Sequence, residues 1–181
     1  MADRSGRGRR GHLKDFSKDL DGRYYYAGDF YTYEKGQPLS RKALIKRLWL
    51  LGAALVVLIL LGGSIPAAGM LSSYYQLLPY GIEVGAVGSV LWAIYKLDTN
   101  GDPLRSYIYQ ATIGSLPGRA ILVVIAAGLG IAGTLLYLFL HGTDGQLAFT
   151  LLYLGLKALT ILCSLVIRRL VQRSVWQVAK S

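Results

Sequence analysis

The sequence predicts an all-α membrane protein whose four transmembrane helices form two helical hairpins, with the N- and C-termini cytoplasmic. Three observations predict it. Four long apolar runs occupy residues 48–68, 77–97, 120–140 and 147–167. Each supplies the roughly 20 residues that a helix needs to cross a hydrocarbon core about 30 Å thick. None has the charged face of a helix lying on a soluble core. The lysines and arginines are spread unevenly around the runs, and that unevenness sets the orientation.

Arg4, Arg7, Arg9, Arg10, Lys14, Lys18, Arg23, Lys35, Arg41, Lys42, Lys46 and Arg47 all precede the first run. Lys96, Arg105 and Arg119 border or occupy the middle connection, and Arg168, Arg169, Arg173 and Lys180 follow the last run. The connections 69–76 and 141–146 hold no lysine or arginine. Bases near span ends favour the cytoplasmic side. Both termini and the loop 98–119 are therefore expected inside, and the two short loops outside, in a multi-pass protein of a bacterial cytoplasmic membrane. Arg9-Arg10 resembles a twin-arginine export signal, but such a signal needs an apolar region close behind it, and none comes before Leu48. The first span is read instead as an uncleaved signal anchor.

Four segments follow in order. Residues 1–22 are basic, Gly-rich and poor in apolar surface, a composition that predicts disorder. Residues 23–47 join a Tyr-rich juxtamembrane stretch to the start of the first helix. There Tyr24, Tyr25, Tyr26, Phe30, Tyr31 and Tyr33 flank Ala27-Gly28-Asp29, which predicts a short hairpin with a tight turn. Such a hairpin needs support from the membrane interface, where tyrosine is enriched, or from a protein partner. Pro38 breaks the chain and Ser40 is placed to cap a helix beginning at Arg41. Residues 48–167 form the bundle. Residues 168–181 are expected to continue the last helix as a basic extension, with Val171, Val175 and Val178 at helical spacing beside Trp176, suited to the membrane surface.

Two charges interrupt the apolar runs. Glu83 lies inside the second and Lys157 at the centre of the fourth. Leu77–Glu83 can be laid on Leu151–Lys157 so that both leucines and the glycine match and Glu83 falls opposite Lys157, either the trace of two similar hairpins or the chance likeness of two apolar helices. Intramembrane charges are costly and tend to face the protein interior or water. Three roles fit: a neutralising pair holding the second helix to the fourth, a proton or ion site, or a Glu83 that reaches outside water alone.

Small residues point to helix packing. Gly81, Gly85, Gly88 and Ser89 share a face of the second span and include a G-x-x-x-G, a pattern that permits close helix contact. Glu83 lies nearly opposite Gly81, so the glycine face and the charged face should meet different neighbours. Ala126, Ala127, Gly128, Gly130, Ala132 and Gly133 make the third span small over most of its circumference. The same glycines fit a subunit interface or a flexible point as well as helix packing within the chain.

Catalytic chemistry has little to stand on. His12 and His141 are the two histidines, and neither sits in a metal-ligand spacing. Asp98-Thr99-Asn100-Gly101-Asp102 begins like a calcium loop, but Pro103 stands where that loop needs glycine and Tyr109 where it needs a bidentate glutamate. The lone Cys163 reads as a packing residue. No phosphate loop or nucleophile elbow is present. No cofactor and no metal are expected. The basic stretch at 4–11 lacks the fold or aromatic interleaving of a nucleic-acid binder. Bases beside a span attract anionic lipid headgroups instead. The expected function is a non-catalytic accessory or scaffolding subunit, whose partner is another membrane protein or a second copy of the chain. The alternative is a small transporter or channel subunit using Glu83 and Lys157.

Overall fold

The computed structural model describes residues 16–18, 24–26, 28–34, 36–69, 73–142 and 145–179. Its long helices grow from the apolar runs and overshoot them. Helix α1 spans Arg41–Ser64, α2 Tyr74–Thr99, α4 Leu116–His141 and α5 Leu147–Gln172. All four are long and apolar enough to cross a membrane. Lysine, arginine and glutamine are good helix formers, so polar ends such as Arg41–Arg47 and Arg168–Gln172 prolong the helix beyond the apolar stretch. Ser40 caps α1, its hydroxyl accepting from the Ala43 N–H at 3.3 Å. The single turn α3 (Ser106–Tyr109) and a π-helical turn (Gln110–Gly114) lead into α4.

Helix α4 packs on α2 and α5, and α1 packs on the same two. The helices α2 and α5 therefore face each other across the bundle axis. The interior changes character along that axis. At the basic end, where the chain enters α1 and leaves α5, it is mostly apolar, with Leu44, Leu48, Ile94, Leu97, Leu116 and Ile167 fully or nearly fully buried, and the buried hydroxyls of Thr112 and Ser164 donate to carbonyls one turn back. Toward the other end it becomes polar: Gln76, Glu83, Thr134, Thr150, Tyr153 and Lys157 are all buried. The outer faces expose large apolar side chains, among them Leu50, Leu60, Leu78, Leu129, Phe139 and Leu162. A surface of this kind is compatible with a multi-pass membrane protein.

A three-stranded antiparallel sheet covers the basic end. Its central strand β3 (Phe30–Tyr33) pairs on one side with β4 (Leu104–Arg105) and on the other with β5 (Trp176–Ala179). Phe30 lies opposite Arg105 and Ala179, and Tyr33 opposite Trp176. Tyr31 stacks on Tyr109 at 4.1 Å between ring centroids, and Trp176 meets Tyr33 and Tyr109 edge-on at 5.2 and 5.9 Å. The Tyr33 hydroxyl donates to the Leu39 carbonyl at 2.7 Å, and burial pushes the phenol above its ordinary pKa. Arg41 donates to the carbonyls of Leu97 and Asn100, satisfying the open C-terminal end of α2.

This cap corrects three expectations. The aromatic stretch does not fold back on itself around Gly28-Asp29. Strand β2 (Tyr24–Tyr26) pairs instead with β1 (Phe16–Lys18), while β3 takes two distant partners. An isolated hairpin would leave both strand edges open, whereas β3 here has both edges paired. The disordered reading of 1–22 fails at Phe16–Lys18, whose backbone is laddered to Tyr24–Tyr26; the remainder of that segment lies outside the described residues. Finally, the last helix stops at Gln172 and β5 replaces the expected helical extension. Val175 to Val178 mix β-branched and aromatic residues, and the edge of β3 offers them a ladder that a surface helix lacks.

Candidate functional site: a buried ion pair in a polar interior

On α2 the inward positions recur every three or four residues: Gln76, Pro79, Glu83, Ala86, Val87, Val90, Ala93, Ile94 and Leu97. Glu83 falls on this stripe and is 0% exposed. On α5 the stripe is Thr150, Tyr153, Lys157, Thr160, Ser164, Ile167 and Val171. Its first five members carry polar groups, and Lys157 is 3% exposed. The structure brings the two charges together: Lys157 Nζ donates to Glu83 Oε2 in a salt bridge. The bridge ties two helices that face each other across the axis rather than two that pack side by side.

Aromatic rings complete the setting. Lys157 Nζ lies 5.1 Å from the Tyr80 ring centroid and 5.0 Å from that of Tyr153, within reach of a cation–π attraction. The Tyr80 hydroxyl donates to the Ile59 carbonyl of α1 at 3.2 Å. A Cβ built on Gly130 would lie 3.6 Å from both Lys157 Cε and the Tyr153 hydroxyl, an ordinary contact distance, so Gly130 borders the pair. Both charges are withdrawn from water, which strengthens their attraction and makes each costly without the other.

Pro79 explains a second glycine. Proline has no N–H, so the carbonyl of Tyr75, four residues earlier, loses its helical partner. Gly133 of α4 sits against that carbonyl, and a Cβ there would come within 2.5 Å of Tyr75 O. The close approach of α4 to the opened turn of α2 depends on the missing side chain. Above it, the connection after α1 folds inward. Ala67 and Ala68 are buried, the Ala68 N–H donates to Thr150 Oγ1 at 3.2 Å, and Gln76 Nε2 donates to the Ala68 carbonyl at 3.1 Å. The turn thus lies over the polar half of the interior with its backbone polar groups matched by side chains of α2 and α5. Three buried oxygens keep no hydrogen-bond partner among the described residues: Gln76 Oε1, Glu83 Oε1 and the Tyr153 hydroxyl.

The other glycine positions divide. Gly130 and Gly133 face the interior, while Gly128 is half-buried with nothing near its Cβ position. Gly81, Gly85 and Gly88 are exposed, and a Cβ on any of them would meet nothing within 4 Å. Among the described residues no helix of the chain packs against this face. Glu83 takes the inward face, and the glycines, nearly opposite it on α2, turn outward. Ser89 is half-buried, its hydroxyl donating to the Ala86 carbonyl and its own carbonyl accepting from Arg119 at 2.6 Å. Of the six aromatics, Phe30, Tyr31 and Tyr33 lie in β3 and Tyr24, Tyr25 and Tyr26 in β2. Asp98, at the head of the calcium-like stretch, accepts from Trp49 Nε1 at 3.0 Å.

Sequence reasoning missed Gln76, Pro79, Tyr80, Thr150 and Tyr153. Pro79 carried a usable signal, because a proline inside a span leaves a carbonyl that a neighbour must cover. The polar stripe on α5 was also readable at a three-to-four spacing. No protein-family profile, no curated protein and no solved structure matches this chain.

Proposed function

We propose that the chain is an integral multi-pass protein of a bacterial cytoplasmic membrane, folded as two helical hairpins with both termini inside, and that it acts as a non-catalytic accessory or scaffolding subunit. Its partner is another membrane helix or a second copy. Aromatic side chains support the membrane placement. Trp92 and Tyr95 near one end of α2 and Tyr74 at the other are exposed, and Tyr74 and Trp92 stand about 27 Å apart along the helix at ~1.5 Å per residue. That spacing suits interfacial belts on either side of a hydrocarbon core. The concentration of lysine and arginine at the end with the sheet supports the orientation.

The observation that carries the scaffolding reading is the outward glycine face of α2. Gly81 and Gly85 form a G-x-x-x-G with Gly88 one turn on, and nothing among the described residues covers them. In lipid a flat strip of this kind lets a partner backbone approach closely, and van der Waals packing then holds the helices together. The interior pair fits the same reading, since its charges neutralise each other and tie α2 to α5. Gly85→Leu tests it. The variant should fold as well as the parent, because position 85 is exposed and a Cβ there meets nothing within 4 Å among the described residues, yet lose the partner on co-purification from native membranes or lose mass in detergent if the partner is a second copy. A complex that survives Gly85→Leu, or a parent protein that purifies alone as a monomer, contradicts the proposal.

A transporter or channel subunit is the second reading, favoured by the polar face of α5 and the three unpartnered buried oxygens. Polar groups inside a membrane protein are commonly satisfied by bound water and mark ion paths. Proton or ion flux through the purified protein in liposomes, abolished by Glu83→Gln, would establish it over the first.

A further inference from the structure

A cavity of about 340 Å³ opens at the basic end, between the first turns of α1, the last turn of α5 and the strap from Tyr33 to Leu39. Arg47 and Arg173 line it and no carboxylate does. Among the described residues neither guanidinium has a hydrogen-bond or ion-pair partner. The frame around them is tightly held. Gln37 grips the backbone of Val175 twice, Nε2 donating to its carbonyl at 2.6 Å and Oε1 accepting from its N–H at 3.1 Å. Ser174 Oγ donates to the Val171 carbonyl at 2.6 Å. Leu39, Leu44 and Leu170 supply the apolar side of the cavity.

A second notch on α1, of about 560 Å³, makes a useful contrast. Arg41, Lys42 and Lys46 line it, but so does Asp98. Arg41 is already committed to the carbonyls of Leu97 and Asn100. Lys42 and Lys46 have no partner among the described residues either, so what sets the first groove apart is that it holds two unpaired guanidinia, whose planar donor forks suit a phosphate better than an ammonium does, and no carboxylate.

Its depth identifies the anion. Arg47 is the last charge on α1, and uncharged residues follow without a break to the end of that helix. Arg173 stands where α5 ends, a little beyond Arg168 and Arg169, which close the apolar run of that helix. Arg47 therefore stands at the edge of the apolar belt and Arg173 about 7 Å to its water side at ~1.5 Å per residue, a layer that lipid phosphates occupy. A guanidinium matches a phosphate with two parallel N–H donors, and two guanidinia can hold one phosphodiester from both sides. The leucines beside them offer a surface to the glycerol and upper acyl chain. A headgroup with its own ammonium would be repelled by the remaining positive charge.

We propose that this groove is a binding site for one anionic phospholipid per chain, its phosphate held by Arg47 and Arg173 and its acyl chains running down beside α1 and α5. The proposal rests on the membrane placement above but not on the scaffolding role.

The test uses the full chain in nanodiscs of zwitterionic lipid with and without a minor fraction of phosphatidylglycerol, with retained lipid read by native mass spectrometry. Co-elution with wholly zwitterionic discs reports the membrane placement by itself, so its failure is told apart from failure of the site. The parent should retain one phosphatidylglycerol. The Arg47→Gln, Arg173→Gln double variant should lose that preference about tenfold or more, as expected when two charge-assisted contacts go. A control with Arg7, Arg9 and Arg10 changed to Gln should keep it. Equal loss in both variants means that net charge, not the groove, attracts the lipid, and overturns the proposal. So does unchanged retention in the double variant, or full displacement of the lipid by millimolar inorganic phosphate. Arg47→Lys, Arg173→Lys guards against misfolding: it keeps the charge and should fall between parent and glutamine variant.

Discussion

Removing one member of the Glu83–Lys157 pair should cost more stability than removing both. Glu83 is 0% and Lys157 3% exposed, so solvent screening does little to soften the loss. Glu83→Gln leaves an ammonium among apolar and aromatic groups. Lys157→Met leaves a carboxylate whose Oε1 already has no partner among the described residues. Breaking a buried pair typically costs about 3–5 kcal/mol, while replacing both partners can be nearly neutral. The double variant also gives up the cation–π contacts of Lys157 with Tyr80 and Tyr153, worth about 0.5–2 kcal/mol each. Each single variant should therefore lose about 3–5 kcal/mol and the double variant no more than either single. The cycle is measured by denaturant titration of the detergent-solubilised bundle, followed by helical circular dichroism. Losses that simply add, with no coupling beyond about 0.5 kcal/mol, would refute the view that the two charges depend on each other.

Gly133→Ala places a Cβ against the Tyr75 carbonyl and should destabilise the bundle by about 1–3 kcal/mol, whereas Gly128→Ala, facing open space, should be near neutral in the same titration. Tyr109→Ala removes the ring that stacks on Tyr31 and meets Trp176, so backbone amides of β3 and β5 should exchange hydrogen faster while those of α2 and α4 stay protected. Tyr153→Phe deletes a buried hydroxyl that has no partner among the described residues and keeps the ring beside Lys157; it should be neutral or mildly stabilising, and a loss above about 2 kcal/mol would mean the hydroxyl has a partner in solution.

The parts of this fold that were legible in the sequence are those governed by local rules. Span length and apolarity located the four long helices, and Pro38 with Ser40 placed the start of α1 at the right residue. Two charges in apolar runs flagged Glu83 and Lys157, because a lone charge in lipid is expensive whatever the topology. Helical geometry also separated the glycine face of α2 from Glu83. It did not say which face turned inward, since that depends on the path of the other three helices. The sheet at the basic end was illegible for a different reason. Its strands are two to four residues long and come from before α1, from the middle connection and from after α5. No local pattern announces such distant pairing, and Val171, Val175 and Val178 fit a helix as well as a helix followed by a strand. Gly133 and Pro79 form an intermediate case: each was visible, and their relation required knowing that α4 lies against α2.

The membrane arrangement underlies every proposal above, and site-directed labelling tests it most directly. In a Cys163→Ala background, single cysteines are placed at exposed positions: Pro66→Cys and His141→Cys at the end with few bases, Gly101→Cys and Gln177→Cys at the basic end. A membrane-impermeant maleimide applied to intact cells should label the first two and spare the second two until the membrane is opened. Labelling of position 101 or 177 from outside in sealed cells, with 66 and 141 protected, would contradict the account.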